Sequence, residues 1–162
     1  NPVNWFAWNK ESLEQAKKEK KPIFLSVGYA SCHWCHVMAH ESFEDDQTAK
    51  IMNEKFINIK VDREERPDLD YVFQRSLSIL TGTPGGWPLS MFLDENGVPF
   101  TGGTYFPPKE MHGRPDFQKV LNNVSDVYNK NREKILDQAP QMQEIFGKFI
   151  QRSAVLVSLI HI

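Results

Sequence analysis

Residues 22–43 read PIFLSVGYASCHWCHVMAHESF, an apolar run that passes directly into a C-x-x-C element. The segment PIFLSVGY is rich in strand formers and short enough to be a buried strand. From Cys32 onward, Cys35, Val37–Met38 and Ser42–Phe43 recur at helical spacing, so the cysteines sit where a strand gives way to a helix. Both cysteines of the chain and three of its five histidines lie here. Three chemistries use such strings: a redox dithiol, a haem attachment site (C-x-x-C-H) and part of a zinc site.

The flanking sequence extends the pattern. NKESLEQAKKEKK before the strand is a polar helical stretch with Leu13 and Ala16 on one face, stopped by Pro22. DDQTAKIMNEKF predicts a further helix with Asp45 or Asp46 as N-cap. FINIKVD alternates into a second buried strand. RPDLDYVFQRSLSIL starts a helix at Pro67, where a missing N–H costs nothing, and Gly82 ends it. PLSMFLD is a third strand, DENG a turn, and VPFTGGTYF a returning fourth strand. Residues 114–152 read as two helices broken near DQAP. Strands alternating with helices and a closing hairpin predict an α/β fold with a small mixed sheet covered on both faces.

The whole-chain totals set limits on function. At 162 residues the chain can form one domain with a proper core. A net charge of −2 without a basic block argues against nucleic acid as a partner. No apolar run reaches the roughly 20 residues of a membrane span. Two cysteines do not make the disulfide framework of small secreted domains. The first residue is Asn rather than Met, so the start reads as processed or cut and a removed leader stays open. The working expectation is a cytoplasmic protein.

If Cys32 occupies the helix N-terminus, free N–H groups and the positive dipole end stabilise its thiolate. Cys35, one turn further in, is placed to close a disulfide with it. That asymmetry makes Cys32 the attacking thiol, with its pKa below the free value of about 8.5, and Cys35 the resolving one. A protonated His33 would stabilise the thiolate further and make the pair more oxidising. His36 is a second candidate for tuning or capping, with ordinary hydrogen bonding as its alternative. Trp34 offers an apolar surface for a peptide or thiol substrate, or simply packs. In GTPGGWPLSMFLD, Pro88 stands directly before a strand, a position that fits a tight turn and a cis bond. A cis Trp87–Pro88 facing the dithiol would present a backbone edge to an extended substrate; an ordinary loop turn is the alternative. Gly85 and Gly86 permit close backbone approach.

Metal binding is the rival chemistry. Cys32, His36 and His40 recur at i, i+4 and i+8, and Cys35 would complete a zinc-type set. On an unkinked helix, ligands two turns apart lie about 11–12 Å apart along the axis, too far for all to reach one ion at about 2.0–2.3 Å. The expectation is therefore no metal site. DREERPD reads as a solvated loop with capping roles, and TYF as core.

Three segments together, KPIFLSVGYASCHWCHVMAHESFED, NIKVDREERPD and GGWPLSMFLDENGVPFTGGTYFPP, spanning Lys21 to Pro108, resemble the thioredoxin-like domain of the spermatogenesis-associated protein family and its uncharacterised microbial relatives. The start NPVNWFAW also fits. The resemblance implies a thioredoxin fold with a central mixed sheet of four to five strands flanked by helices. It implies Cys32 and Cys35 as the redox pair and Pro88 as the cis proline. It implies no organic cofactor: electrons would come from another thiol system, and partners would be protein or small-molecule thiols and disulfides. Longer members continue into a helical barrel, so this chain reads as a short member or a cut fragment. Its organisation is then one thioredoxin-like domain over 1–152, with 153–162 an apolar tail. Thioredoxins usually carry a buried Asp six residues before the first cysteine to assist proton transfer at the second. Here that position is Ser26, and Ser31 and His33–Trp34 replace the usual Trp and Gly-Pro. Asp62 or Glu64 would have to substitute, and the sequence does not place either near Cys35. The functional expectation is a thiol–disulfide oxidoreductase; the alternatives are a docking or redox-sensing module of a larger enzyme, or a Cys/His metal site.

Overall fold

The computed structural model describes residues 2–141 and 144; the expected apolar tail, 153–162, lies outside them. The elements run β1 (Trp5–Phe6), α1 (Lys10–Glu19), β2 (Ile23–Gly28), α2 (His33–Met38), a π-helical turn (Ala39–Phe43), α3 (Asp46–Lys55), β3 (Ile57–Asp62), α4 (Pro67–Thr81), β4 (Leu89–Leu93), β5 (Pro99–Gly103) and α5 (Phe117–Lys130). The sheet order is β1-β3-β2-β4-β5. β3 pairs in parallel with both β1 and β2, while β4 runs antiparallel to β2 and β5. This is the mixed, five-stranded sheet expected, with an antiparallel hairpin at one edge.

Strand alternation divides the core into two layers. Ile23, Leu25 and Val27 of β2, Ile57, Ile59 and Val61 of β3, and Leu89, Met91 and Leu93 of β4 meet Ala16 of α1 and Leu69, Phe73 and Leu77 of α4. On the other face Phe24 and Phe92 pack with Met38, Phe43, Met52, Phe117 and Leu121. The Phe24 ring alone lies 5.3–6.4 Å from those of Trp5, Phe43, Phe92 and Phe117. β2 is therefore buried along its whole length, as a central strand covered on both faces must be.

Helix ends follow the chemistry of their caps. Asn9 and Ser12 form a capping box on α1, Asp45 caps α3 through Thr48, and Pro67 opens α4 before Gly82 closes it at φ 71°. Four readings of the sequence need correction. β1 is an added strand: two residues have no periodicity of their own, and it exists by pairing Trp5 with Asn58 and Phe6 with Ile59. The helix after the cysteines is not continuous through Phe43 but widens into a π turn after Met38. β5 stops at Gly103 instead of running through Tyr105–Phe106. The last helical region breaks at Asn131, not near Pro140. Asn131 ends α5 on the Val127 carbonyl, and its own carbonyl accepts from Ile135 N–H to start a helix covering 132–141.

Candidate redox site

Cys32 is the N-cap of α2, with extended backbone angles (φ −77°, ψ 109°), because the chain turns there from the loop after β2 into the helix. Its Sγ accepts the Cys35 backbone N–H at 3.3 Å. That donor is one of the helix N-terminal groups without an intrahelical carbonyl. Cys32 and Cys35 are joined as a disulfide, with Cα atoms 5.3 Å apart. Both residues are buried, at 3% and 8% exposure, so hydrogen bonding rather than accessibility distinguishes the two sulfurs. Gly28, the last residue of β2, makes the seat for the second one. A Cβ there would lie 2.9 Å from Cys35 Sγ, so only a glycine leaves the sulfur room.

The Trp87–Pro88 peptide bond is cis. The β2–β4 register pairs Val27 with Leu89, so Pro88 arrives beside Gly28, at the strand ends that carry the disulfide. Trp87 is held from three sides: its Nε1 donates to Asp70 Oδ1 at 2.9 Å, the Arg63 guanidinium lies 4.3 Å from its ring centroid, and the Tyr29 ring stands edge-on at 6.0 Å. Arg63 also covers Tyr29, at 5.1 Å. The segment read as a solvated loop thus contributes to a brace: its Arg63, with Asp70 of α4, fixes the residue before the cis proline. At Gly85 a Cβ would meet Gln74 Oε1 at 1.8 Å, so a side chain there would displace the Gln74 amide. Gln74 donates to the Gly86 carbonyl at 3.0 Å and ties this loop to α4.

Trp34 and Trp87 line one cleft of about 560 Å³ together with Gly86, Tyr105 and Arg114. Trp34 is 53% exposed and tilts against Tyr105 at 5.1 Å. Tyr105, expected in the core, packs partly buried against it and also forms a cleft wall. Its hydroxyl donates to Glu41, and burial, helped by that carboxylate, pushes it up to about 12. The sequence offered no signal for this, because the partners are 64 residues apart in the chain. His33 is exposed and its ring faces Trp34 at 5.4 Å. His36 places Nε2 on the Ala30 carbonyl, 2.5 Å away, bracing the loop before Cys32. His40 pairs with Glu44 at 3.0 Å. With His36 and His40 engaged there and the sulfurs bonded to each other, the four residues of the zinc-type set do not converge on one point.

A second cavity, of about 310 Å³, opens on the other side of the pair and is lined by Cys35, Gly28, His36, Lys60 and Asp62. Asp62 therefore does reach the neighbourhood of Cys35, while its Oδ1 accepts the Glu64 N–H at 2.8 Å. Lys60 lies beside Ser26 in the β2–β3 register and donates to its hydroxyl at 3.1 Å. Burial of its nitrogen holds the ammonium down at about 8. Among the described residues no helix is long and apolar enough to cross a membrane.

Comparison with known proteins adds the lineage. Residues 1–147 match the family described as "Protein of unknown function, DUF255", short name Thioredox_DsbH. An uncharacterized protein of Caenorhabditis elegans is 48% identical over 142 residues, 88% of this chain and 19% of that protein. Spermatogenesis-associated protein 20 of Homo sapiens is 42% identical over 157 residues, 97% of this chain and 20% of that protein. The chain thus spans about a fifth of the length of these curated relatives. Among solved structures, a DsbH oxidoreductase is similar with TM-score 0.51 at 19% identity, covering 78% of this chain and 83% of that one. A thioredoxin from Thermus thermophilus is similar with TM-score 0.52 at 18% identity, covering 82% and 94%. At these identities the structural likeness speaks for the fold, and the sequence match speaks for descent: the chain belongs to the DUF255 (Thioredox_DsbH) family and has its thioredoxin-like fold.

Proposed function

We propose that this chain is a thiol–disulfide oxidoreductase. In the reducing direction the Cys32 thiolate attacks one sulfur of a substrate disulfide and expels the other as a thiolate. The resulting mixed disulfide is then attacked by Cys35, which releases the second substrate thiol and leaves the Cys32–Cys35 disulfide. The reverse sequence oxidises a substrate dithiol. The observation that carries the reading is the pair itself: two cysteines within disulfide reach, the first capping α2 and accepting the Cys35 N–H, which favours its thiolate.

The other roles follow from position. The Trp87 backbone and Pro88 would align an extended substrate strand beside the pair, and Trp34 would give it an apolar surface across the cleft. His33, in the first turn of α2, and His36, bonded to the loop before Cys32, would tune the thiolate. No organic cofactor is required; the electrons come from a thiol donor or go to a thiol acceptor.

A redox titration tests this reading. Protein equilibrated in thiol buffers of set potential is alkylated and its free thiols are counted by mass. Reversible two-electron behaviour between about −120 and −270 mV, the span of known oxidoreductases, is the expected result. A pair that never closes, or closes irreversibly, overturns it.

The length of the relatives favours a second reading. A chain covering about a fifth of them fits a docking or redox-sensing module serving a larger enzyme. Fold alone does not decide between the two. Cys32→Ser abolishes turnover in the first case; in the second, binding to the rest of the protein survives replacement of both cysteines.

A further inference from the structure

The fold lacks a carboxylate at the position that serves the second cysteine in thioredoxins, and Ser26 stands there. A serine hydroxyl does not exchange a proton usefully near neutral pH, so the group that deprotonates Cys35 must come from elsewhere. β2 and β3 pair in parallel with Ser26 opposite Lys60, and alternation sends both side chains to the face that carries α2. Lys60 Nζ donates to Ser26 Oγ at 3.1 Å, and it lies 5.3 Å and 5.2 Å from the ring centroids of Trp5 and Phe43. The serine thus serves as the anchor that points the lysine into the cavity shared with Cys35.

The spacing suits a proton relay. The lysine nitrogen is anchored at Ser26, and the Cys35 sulfur rests against Gly28 on the same face of the same strand. Both groups line the same cavity, and catalytic bases act at hydrogen-bond distance or through one water. Lys60 is solvent-exposed as a residue, while its nitrogen lies against Ser26 and the rings of Trp5 and Phe43. The open side gives the proton a way out to bulk water and moderates the desolvation. Burial favours the neutral amine that can accept a proton.

We propose that Lys60 is the proton acceptor for Cys35 in the resolving step, taking the place of the absent carboxylate. This rests on the oxidoreductase reading. With Cys32 in a mixed disulfide, the neutral Lys60 amine takes the Cys35 S–H proton directly or through one water. The Cys35 thiolate forms a bond to Cys32 Sγ, and the bond from Cys32 to the substrate sulfur breaks. The substrate leaves with the electron pair as a thiolate, protein dithiol having been oxidised and substrate disulfide reduced, and the Lys60 proton passes to water. In the reverse direction the ammonium protonates Cys35 as it leaves the disulfide.

Burial holds the Lys60 ammonium down at about 8, so part of it is the neutral amine near neutral pH. The other titratable groups around this cavity are Asp62, Tyr29 and His36. Asp62 Oδ1 accepts the Glu64 N–H, Tyr29 is clamped by Arg63, and His36 Nε2 donates to Ala30. β1 and the π turn place the rings of Trp5 and Phe43 against the lysine nitrogen.

The test uses reduced protein in excess over 5,5′-dithiobis(2-nitrobenzoate), with release of the coloured thiolate followed by stopped flow from pH 6 to 10. Cys32 attack releases the first thiolate and Cys35 resolution the second. In the wild type the second phase rises with pH and levels above about pH 8. Lys60→Met and Lys60→Arg are expected to slow it at pH 7 on the order of 10²-fold, the lower range for general base catalysis, and to move its midpoint upward. The first phase, which reports an intact site, changes far less. Arginine keeps the charge but cannot accept the proton, so a Lys60→Arg profile like the wild type would overturn the proposal. So would a midpoint that moves in Asp62→Asn and stays in Lys60→Met. A wild type that releases only the first thiolate overturns the oxidoreductase reading and the Lys60 role with it; two wild-type phases with unshifted lysine variants overturn the Lys60 role alone.

Discussion

Gly28→Ala should raise the reduction potential of the pair. The added methyl would lie 2.9 Å from Cys35 Sγ, while an ordinary carbon–sulfur contact lies near 3.5–4 Å, so something must yield by about half an ångström or more. Gly28 does not have positive φ, so alanine adopts its backbone without strain and the effect is confined to the sulfur. In the disulfide form that sulfur is tethered to Cys32 and is pressed against the methyl. In the dithiol form the Cys35 side chain can rotate away. Overpacking a tight site costs about 1–3 kcal/mol, and the cost falls mainly on the oxidised state. For a two-electron couple, 30 mV corresponds to about 1.4 kcal/mol, so the potential rises by about 20–65 mV.

The assay is the thiol-buffer titration, paired with urea unfolding of the oxidised and reduced proteins. The thermodynamic cycle requires the oxidised form to lose more stability than the reduced form, by the amount the potential reports. A potential that moves by less than about 10 mV, or becomes more negative, refutes the idea that the sulfur is seated against this strand end.

Two further outcomes follow from the braces around the site. Arg63→Ala removes the cation from the faces of Trp87 and Tyr29 and should cost about 0.5–2 kcal/mol, read from the urea midpoint and accompanied by a change in Trp87 fluorescence; an unchanged midpoint and spectrum contradict the clamp. Asp45→Ala should cost about 1 kcal/mol through loss of the α3 cap. The Thr48 backbone N–H and hydroxyl hold the Asp45 carboxyl below its ordinary value. Its contribution is therefore full above the unfolded value of about 4 and is lost as pH falls through the lower folded value. The stability difference between wild type and Asp45→Asn should narrow across that acid window and be constant above about pH 5.

How much of this was legible beforehand depended on whether a residue's partner was near in sequence. β2, β3 and the step from strand to C-x-x-C announce themselves because period and punctuation are local. Pro88 could be singled out because a proline opening a strand has few uses. β1 could not, since it exists only by pairing with β3. The brace on Trp87 joins Tyr29, Arg63 and Asp70, three stretches that only the folded sheet brings together, so DREERPD looked like solvated charge. Lys60 was masked by the same alternation that identified its strand. A polar residue between Ile59 and Val61 reads as the solvent side, and only the tertiary fold shows that this side holds the cysteine helix. The break at Asn131 was missed because Pro140 is the stronger signal on propensity, whereas the asparagine ends one helix on Val127 and begins the next.

The two sulfurs are served by different parts of the molecule, and the difference bears on the direction of the reaction. The Cys35 N–H bonds to Cys32 Sγ, and a thiolate at Cys32 would make that bond stronger as a charged acceptor. Whatever ammonium persists at Lys60 favours a Cys35 thiolate across the shared cavity. Each interaction is stronger in the reduced protein than in the disulfide, and stabilising the reduced form is what makes a dithiol pair oxidising. Ser26 acts in the same sense: a buried carboxylate in its place would repel a neighbouring thiolate and disfavour the reduced, ionised pair. On the proposed oxidoreductase reading, the expected potential lies toward the −120 mV end of the range spanned by known oxidoreductases, about −120 to −270 mV. Substituting Asp for Ser26 should reverse part of that bias: it returns a negative charge beside Lys60, pairs the lysine, and should drive the measured potential downward. A potential that stays put or rises in Ser26→Asp would mean that the charge around Cys35 does not set the direction.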